Sequence, residues 1–116
     1  MTKYVDINTL RPNNWFLDKK KLENIRKTWL NGKQHLLPAI TVTIIDGELS
    51  LIDGHCRAYV ARENGAAEIP ARIVDPAKIR GNIELLTLFH QQGPVIGIKR
   101  IADLGGKIID TNDKNV

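Results

Sequence analysis

The sequence predicts an α+β fold in a single domain, a small mixed β-sheet flanked by helices. Strand-like and helix-like patterns alternate along the chain, and an Asp-Gly pair joins two strand-like runs. The length of 116 residues, 42% of them hydrophobic, suits one core rather than two.

Tyr4-Val5-Asp6-Ile7 reads as a short strand, stopped by the turn chemistry of Arg11-Pro12-Asn13-Asn14. Asp18 is placed to cap a helix in which Leu22, Ile25 and Trp29 share a face and Gly32 is the stop. Ile40–Ile45 and Glu48–Ile52 flank Asp46-Gly47, which predicts a hairpin with a tight turn. The second strand runs into Asp53-Gly54-His55-Cys56-Arg57, after which Ala58, Tyr59, Ala61 and Arg62 suit a helix ending at Asn64-Gly65. Ile69–Val74 reads as a strand with Pro70 near its start, where a ladder N–H is dispensable. Residues 77–91 carry Ile79, Ile83, Leu86 and Phe89 at helical intervals, and Gly93-Pro94 is expected to break that helix. A short helix is predicted within Ile98–Ile109, ending at Gly105-Gly106, and the polar residues Asp110–Val116 are expected to fray. This order divides the chain into a core, residues 1–75, and a helical extension, residues 76–116, packed on or next to it.

The charge is uneven. Residues 1–33 carry eight Lys/Arg against three Asp/Glu, or +5, and the remaining nine against ten give −1, for the net +4. Lys19, Lys20, Lys21, Arg26 and Lys27 make the first helix basic, which suits either a nucleic-acid footprint or a solvated face. Cys56 stands alone, so no intrachain disulfide forms, and the three histidines show no zinc-ligand spacing. No apolar run approaches the roughly 20 residues that span a bilayer, and Met-Thr-Lys-Tyr-Val-Asp lacks a signal peptide's apolar stretch. The expected location is cytoplasmic.

Site chemistry concentrates at the strand-to-helix turn. Backbone N–H groups at a helix start have no intrahelical partner and carry the positive end of the helix dipole, so they attract anions. Gly54 lets a phosphate approach the backbone, and Arg57 offers a guanidinium fork. Asp53 can hold a metal ion, accept a proton or cap the helix; His55 can donate to phosphate or move a proton. Arg57 has a structural alternative in pairing with Asp53 or Glu63. Cys56 is either a first-turn thiol of lowered pKa or a small buried side chain.

Leu49–Val74 resembles the central motif of the ParB/sulfiredoxin superfamily, where a strand ends in a Gly-x-x-Arg turn, a helix ends near a Gly, and an Ile/Val-Pro strand follows. Upstream, the Arg11-Pro12 turn, a helix and a Leu37-Pro38 approach to Ile40–Ile45 fit the same order, so the likeness covers residues 4–75. It implies a nucleotide-binding core, with Mg²⁺ and ATP, ADP or CTP, held by Gly54, His55, Cys56, Arg57, Arg11 and Asn14. In sulfiredoxins the turn reads Gly-Cys-His-Arg with the Cys as nucleophile. Here Cys56 lies one position late, about 100 degrees around a helix, which argues against that reaction.

Chromosome-partitioning ParB proteins typically have Gly-Glu-Arg-Arg and a later box completing a CTP site, which Ile79–Gln92 does not resemble. The free serine kinase branch, with Asp-Gly-His-x-Arg, is closest to Asp53–Arg57. That likeness implies Asp53 and His55 as catalytic residues, Asp53 as the metal ligand, and a small hydroxylated substrate. The kinase branch has a general-base Glu where Asn14 stands, leaving Asp18 or Asp53 to replace it or binding without reaction. The expected activity is thus a phosphotransferase or NTPase; the alternative is a non-enzymatic, partition-type DNA-binding module using the basic helix. Direct DNA binding is expected to be weak or absent.

Overall fold

A computed structural model describes residues 2–79 and 83–110. The chain begins with β1 (Thr2–Asp6), β2 (Arg11–Pro12), β3 (Leu17–Asp18) and α1 (Lys19–Leu30). Then come β4 (Ile40–Ile45), β5 (Glu48–Asp53), α2 (His55–Glu63), β6 (Glu68–Ile73), α3 (Ile83–Val95) and β7 (Ile108–Ile109). One mixed five-stranded sheet has the order β1-β6-β4-β5-β2, and β3 and β7 form a separate parallel pair. β1 is antiparallel to β6, β6 parallel to β4, β4 antiparallel to β5, and β5 parallel to β2. This is a single α+β domain.

Local chemistry explains most of these elements. The β4–β5 turn holds Asp46 at φ 53° and Gly47 at φ 76°, two successive left-handed residues that match the twist of a two-residue hairpin. Asp18 caps α1, its carboxylate accepting from the Lys21 N–H at 3.1 Å. α1 buries Leu22 and packs on α2, which buries Ala58, Val60 and Ala61. Beneath them Leu10, Leu17, Ile40, Val42 and Leu51 join Ile98, Ile101 and Leu104 from the C-terminal segment in one core.

Several expectations change. Ile7 leaves β1 for a 3-10 turn capped by the Asp6 carboxylate. Arg11-Pro12 is a strand rather than only a turn, because its backbone pairs with Ser50 and Leu51 of β5. Residues 76–78 form a 3-10 turn started by the Asp75 carboxylate, so helix does not begin at residue 77. Gly93-Pro94 does not break α3, which continues to Val95. A helical proline leaves the carbonyl four residues earlier without its donor, and here the His90 carbonyl accepts from Arg11 Nη2 at 2.8 Å instead. The C-terminal segment forms a 3-10 helix, Ile101–Gly106, ending at the predicted glycines, followed by the unforeseen β7. The expected fraying of Asp110–Val116 lies outside the described residues beyond Asp110. Among the described residues no helix is long and apolar enough to cross a membrane.

Candidate functional site

β5 ends at Asp53, and the chain turns into α2 through Gly54 at φ 105°. A Cβ there would lie 2.6 Å from Ile40 Cγ2 and 2.9 Å from Arg57 Nη2, so both the conformation and the space require glycine. Gly54 is the N-cap and no side chain caps the helix. The first N–H of the ladder to find a carbonyl is that of Ala58, which donates to Gly54 at 2.9 Å. The N–H groups of His55, Cys56 and Arg57 therefore form an uncapped positive helix end.

That end opens into a cavity of about 800 Å³. Asn14, Asp18, Asp53, Gly54, His55, Cys56 and Arg57 line it, so the structure brings together most of the site residues expected from the sequence. Lys21 and Arg72 add two further cations, and Phe16, Ile25, Ile52 and Ile109 supply apolar wall. Arg57 is largely buried: Nη1 donates to the Pro38 and Ala39 carbonyls at 2.8 and 3.2 Å, and Nη2 donates to Asp53 Oδ2 at 3.2 Å. The guanidinium thus ties the approach to β4 to the turn. Glu63, the other partner considered for Arg57, is taken bidentately by Arg26 at 2.9 and 2.7 Å. Asp53 is three-quarters exposed, leaving its carboxylate open to the cavity.

His55 is only 8% exposed, and its Nε2 accepts the Asn13 N–H at 3.0 Å. Burial pushes its pKa down to about 4 against a smaller opposing pull from Asp53, so the ring is neutral at physiological pH with its proton on Nδ1. Cys56 is half-buried with Sγ 3.9 Å from the Asp18 carbonyl, and burial pushes its thiol pKa up. That is the opposite of what an activated nucleophile needs.

Arg11 lies apart from this cavity. It is buried, donating from Nη1 to Glu48 Oε1 at 2.6 Å and from Nη2 to the His90 carbonyl. The guanidinium beside Glu48 holds that carboxyl below the usual range. Of the basic helix, Lys21 reaches the cavity, Arg26 is engaged by Glu63, and Lys19, Lys20 and Lys27 are exposed outside it. Among the described residues no cluster of three or more His, Cys, Asp or Glu side chains could hold a metal ion.

Sequence reasoning missed Arg72 and Asn13. Alternation in β6, which buries Ile69 and Ala71, already puts Arg72 on the other face. Asn13 bridges elements far apart in sequence: Nδ2 donates to Ser50 Oγ and to the Leu86 carbonyl, both at 2.9 Å. No local pattern signals that.

No family model matches the sequence, and no curated protein does. Solved structures do match. Protein Atu1540 from Agrobacterium tumefaciens superposes with TM-score 0.62 at 18% identity, over 90% of this chain and 61% of that one. Sulfiredoxin from Arabidopsis thaliana gives TM-score 0.56 at 18% identity, covering 77% of this chain and 96% of that one. C-terminally truncated chromosome-partitioning protein ParB from Caulobacter crescentus, complexed with CTP-gamma-S, gives 0.55 at 16% identity, covering 83% and 53%. The chain thus spans about three-fifths of Atu1540 and half of that ParB. At these identities the likeness concerns the fold, and the fold is that of the ParB/sulfiredoxin domains.

Proposed function

We propose that this chain binds a nucleotide through its phosphates at the N-terminus of α2. The observation that carries the reading is the uncapped N–H row of His55, Cys56 and Arg57, opening into a cavity also lined by Lys21 and Arg72. The fold likeness to a ParB that holds CTP-gamma-S supports it. Phe16, Ile25 and Ile109 offer apolar surface for the rest of the ligand.

The residues present fit a Mg²⁺ that rides on the phosphates, because such an ion needs only one or two protein carboxylates and Asp53 presents an open one. Bound there, Mg²⁺ supplies charge neutralisation to the phosphate oxygens. A thermal-shift panel of CTP, ATP, ADP and GTP with Mg²⁺ tests binding; saturation at 100 times Kd should stabilise by about 2.7 kcal/mol. Arg57→Ala should weaken binding roughly 10- to 100-fold, because the turn that presents the N–H row loses the guanidinium tying it to the Pro38 and Ala39 carbonyls and to Asp53. No shift with any nucleotide at millimolar concentration would contradict the reading.

Phosphoryl transfer to a small hydroxylated substrate extends the same reading. With His55 Nε2 engaged by Asn13 and the Asp18 carboxylate capping α1, the exposed Asp53 carboxylate is the first candidate to take a hydroxyl proton, with Asp18 second. Turnover of ATP or ADP with small hydroxylated amino acids should fall about 100-fold or more in Asp53→Asn. Binding without turnover leaves a nucleotide-responsive module.

A further inference from the structure

We propose that His55 and Asn13 are positioning residues that couple α3 to the cavity, so that the shape of the nucleotide site depends on α3 being docked. The inference rests on the nucleotide reading for its ligand, but its geometry is independent of it. His55 belongs to both the cavity lining and the first turn of α2, and its buried ring accepts the N–H of Asn13. Asn14, the next residue, lines the cavity.

The Asn13 side chain reaches the other way, donating through Nδ2 to Ser50 Oγ on β5 and to the Leu86 carbonyl on α3. Two positions earlier, Arg11 donates to the His90 carbonyl, one helical turn along from Leu86. Arg11 of β2 and Asn13 just after it therefore clasp consecutive turns of α3, while His55 holds the Asn13 backbone from the other side.

α3 is held mainly by polar contacts: Arg11 and Asn13 take its carbonyls, and at the β4–β5 hairpin Gln91 Nε2 donates to Asp46 Oδ2 and His90 Nε2 meets Glu48 Oε1, both at 3.2 Å. Of its 13 residues only His90 and Gly93 are buried. Its aromatic contact is with the loop that follows Asn13, Phe89 meeting Trp15 edge-on with centroids 5.8 Å apart. A Cβ on Gly93 would lie 2.6 Å from the Ile98 carbonyl oxygen and 3.3 Å from Trp15 Cη2, so α3 packs closely on both the following segment and Trp15. Leu85, Leu88 and Val95 are exposed, so apolar burial contributes little to holding α3 down. Asn13 Oδ1 is buried without a partner among the described residues, a cost that an apolar residue chosen for packing would not carry. That cost is consistent with a side chain retained for its two donors.

By linkage, a ligand that orders the Asn13–Asn14 loop must also tighten α3, and loosening α3 must weaken the ligand by the same factor. The test is amide hydrogen exchange with and without Mg²⁺–CTP and Mg²⁺–ATP, in the parent chain and in Asn13→Ala, His55→Leu and His55→Gln. In the parent, nucleotide should slow exchange across Leu86–Val95 severalfold, although α3 does not line the cavity. Asn13→Ala should abolish that response and weaken binding about tenfold, on the order of one or two net hydrogen bonds. His55→Leu, which has no acceptor for the Asn13 N–H, should do the same, and His55→Gln, whose carbonyl can accept it, should restore most of both effects.

Slowed exchange at residues 55–57 with α3 unchanged would overturn the coupling and leave the nucleotide reading intact. If no nucleotide binds, the nucleotide reading fails, and the coupling then stands or falls on ligand-free exchange: His55→Leu must quicken α3 and His55→Gln must not. Equal exchange in all four chains overturns it.

Discussion

Replacing Gly54 with alanine is expected to destabilise the domain by about 3 kcal/mol and to abolish nucleotide binding. Two costs add. A φ of 105° is strained for any residue with a Cβ, at roughly 1–3 kcal/mol. The new methyl also meets Ile40 Cγ2 at 2.6 Å, and overpacking of this kind typically costs 1–3 kcal/mol. Ile40 is fully buried in β4 and cannot step aside without moving the sheet. The second close neighbour, Arg57 Nη2, is the end of a side chain and can swing, but only by leaving Asp53. For a domain of this size the melting temperature should fall on the order of 15 °C, read by calorimetry. Gly47, whose added Cβ would meet nothing within 4 Å, is the control: its alanine variant carries the conformational cost alone.

Acid should destabilise the fold in a window set by His55. Its folded pKa, pushed down to about 4, lies below the ordinary 6.5 of an unfolded histidine. Below pH 6.5 the unfolded chain takes up a proton that the folded chain refuses, so stability drops as pH falls towards 4 and is flat above the window. At 1.36 kcal/mol per pH unit the loss from this residue reaches roughly 3 kcal/mol. Protonation would also remove the Nε2 lone pair that accepts the Asn13 N–H, so the loop should open with the same midpoint. Denaturant unfolding between pH 7.5 and 4 should show the slope in the parent chain and a shallower one in His55→Gln. An equal slope in both would assign the acid effect elsewhere.

The parts of this molecule legible in the sequence are those settled by neighbouring residues. Asp46-Gly47 specifies a hairpin because both positions need positive φ, and Asp18 specifies a helix start because its carboxylate reaches an N–H three residues on. The strand-to-helix turn at Asp53–Arg57 was legible for the same reason, whereas its cap was not: Asp53 reads equally as a cap, and the N-cap is Gly54 with no side chain closing the helix end. What stayed hidden depends on pairings across long separations. β3 and β7 are two-residue strands, Leu17 beside Ile108 and Asp18 beside Ile109, too short for any periodicity. Pro94 reads as a helix stop until Arg11 is found donating to the carbonyl it frees. Arg11 read as a phosphate ligand because its engagement with Glu48 and His90 is visible only in three dimensions. Asn13 read as turn chemistry, although its side chain joins β5 to α3.

The measurement that bears most directly on the central claim is a titration of the ¹⁵N-labelled chain with Mg²⁺–CTP and Mg²⁺–ATP, followed by amide chemical shifts. Phosphate at the N-terminus of α2 should move the His55, Cys56 and Arg57 amides first and furthest, downfield as each N–H gains an anionic acceptor, with Asn14 and Lys21 following. Shifts confined to the exposed Lys19, Lys20 and Lys27, with residues 55–57 unmoved up to millimolar nucleotide, would contradict it.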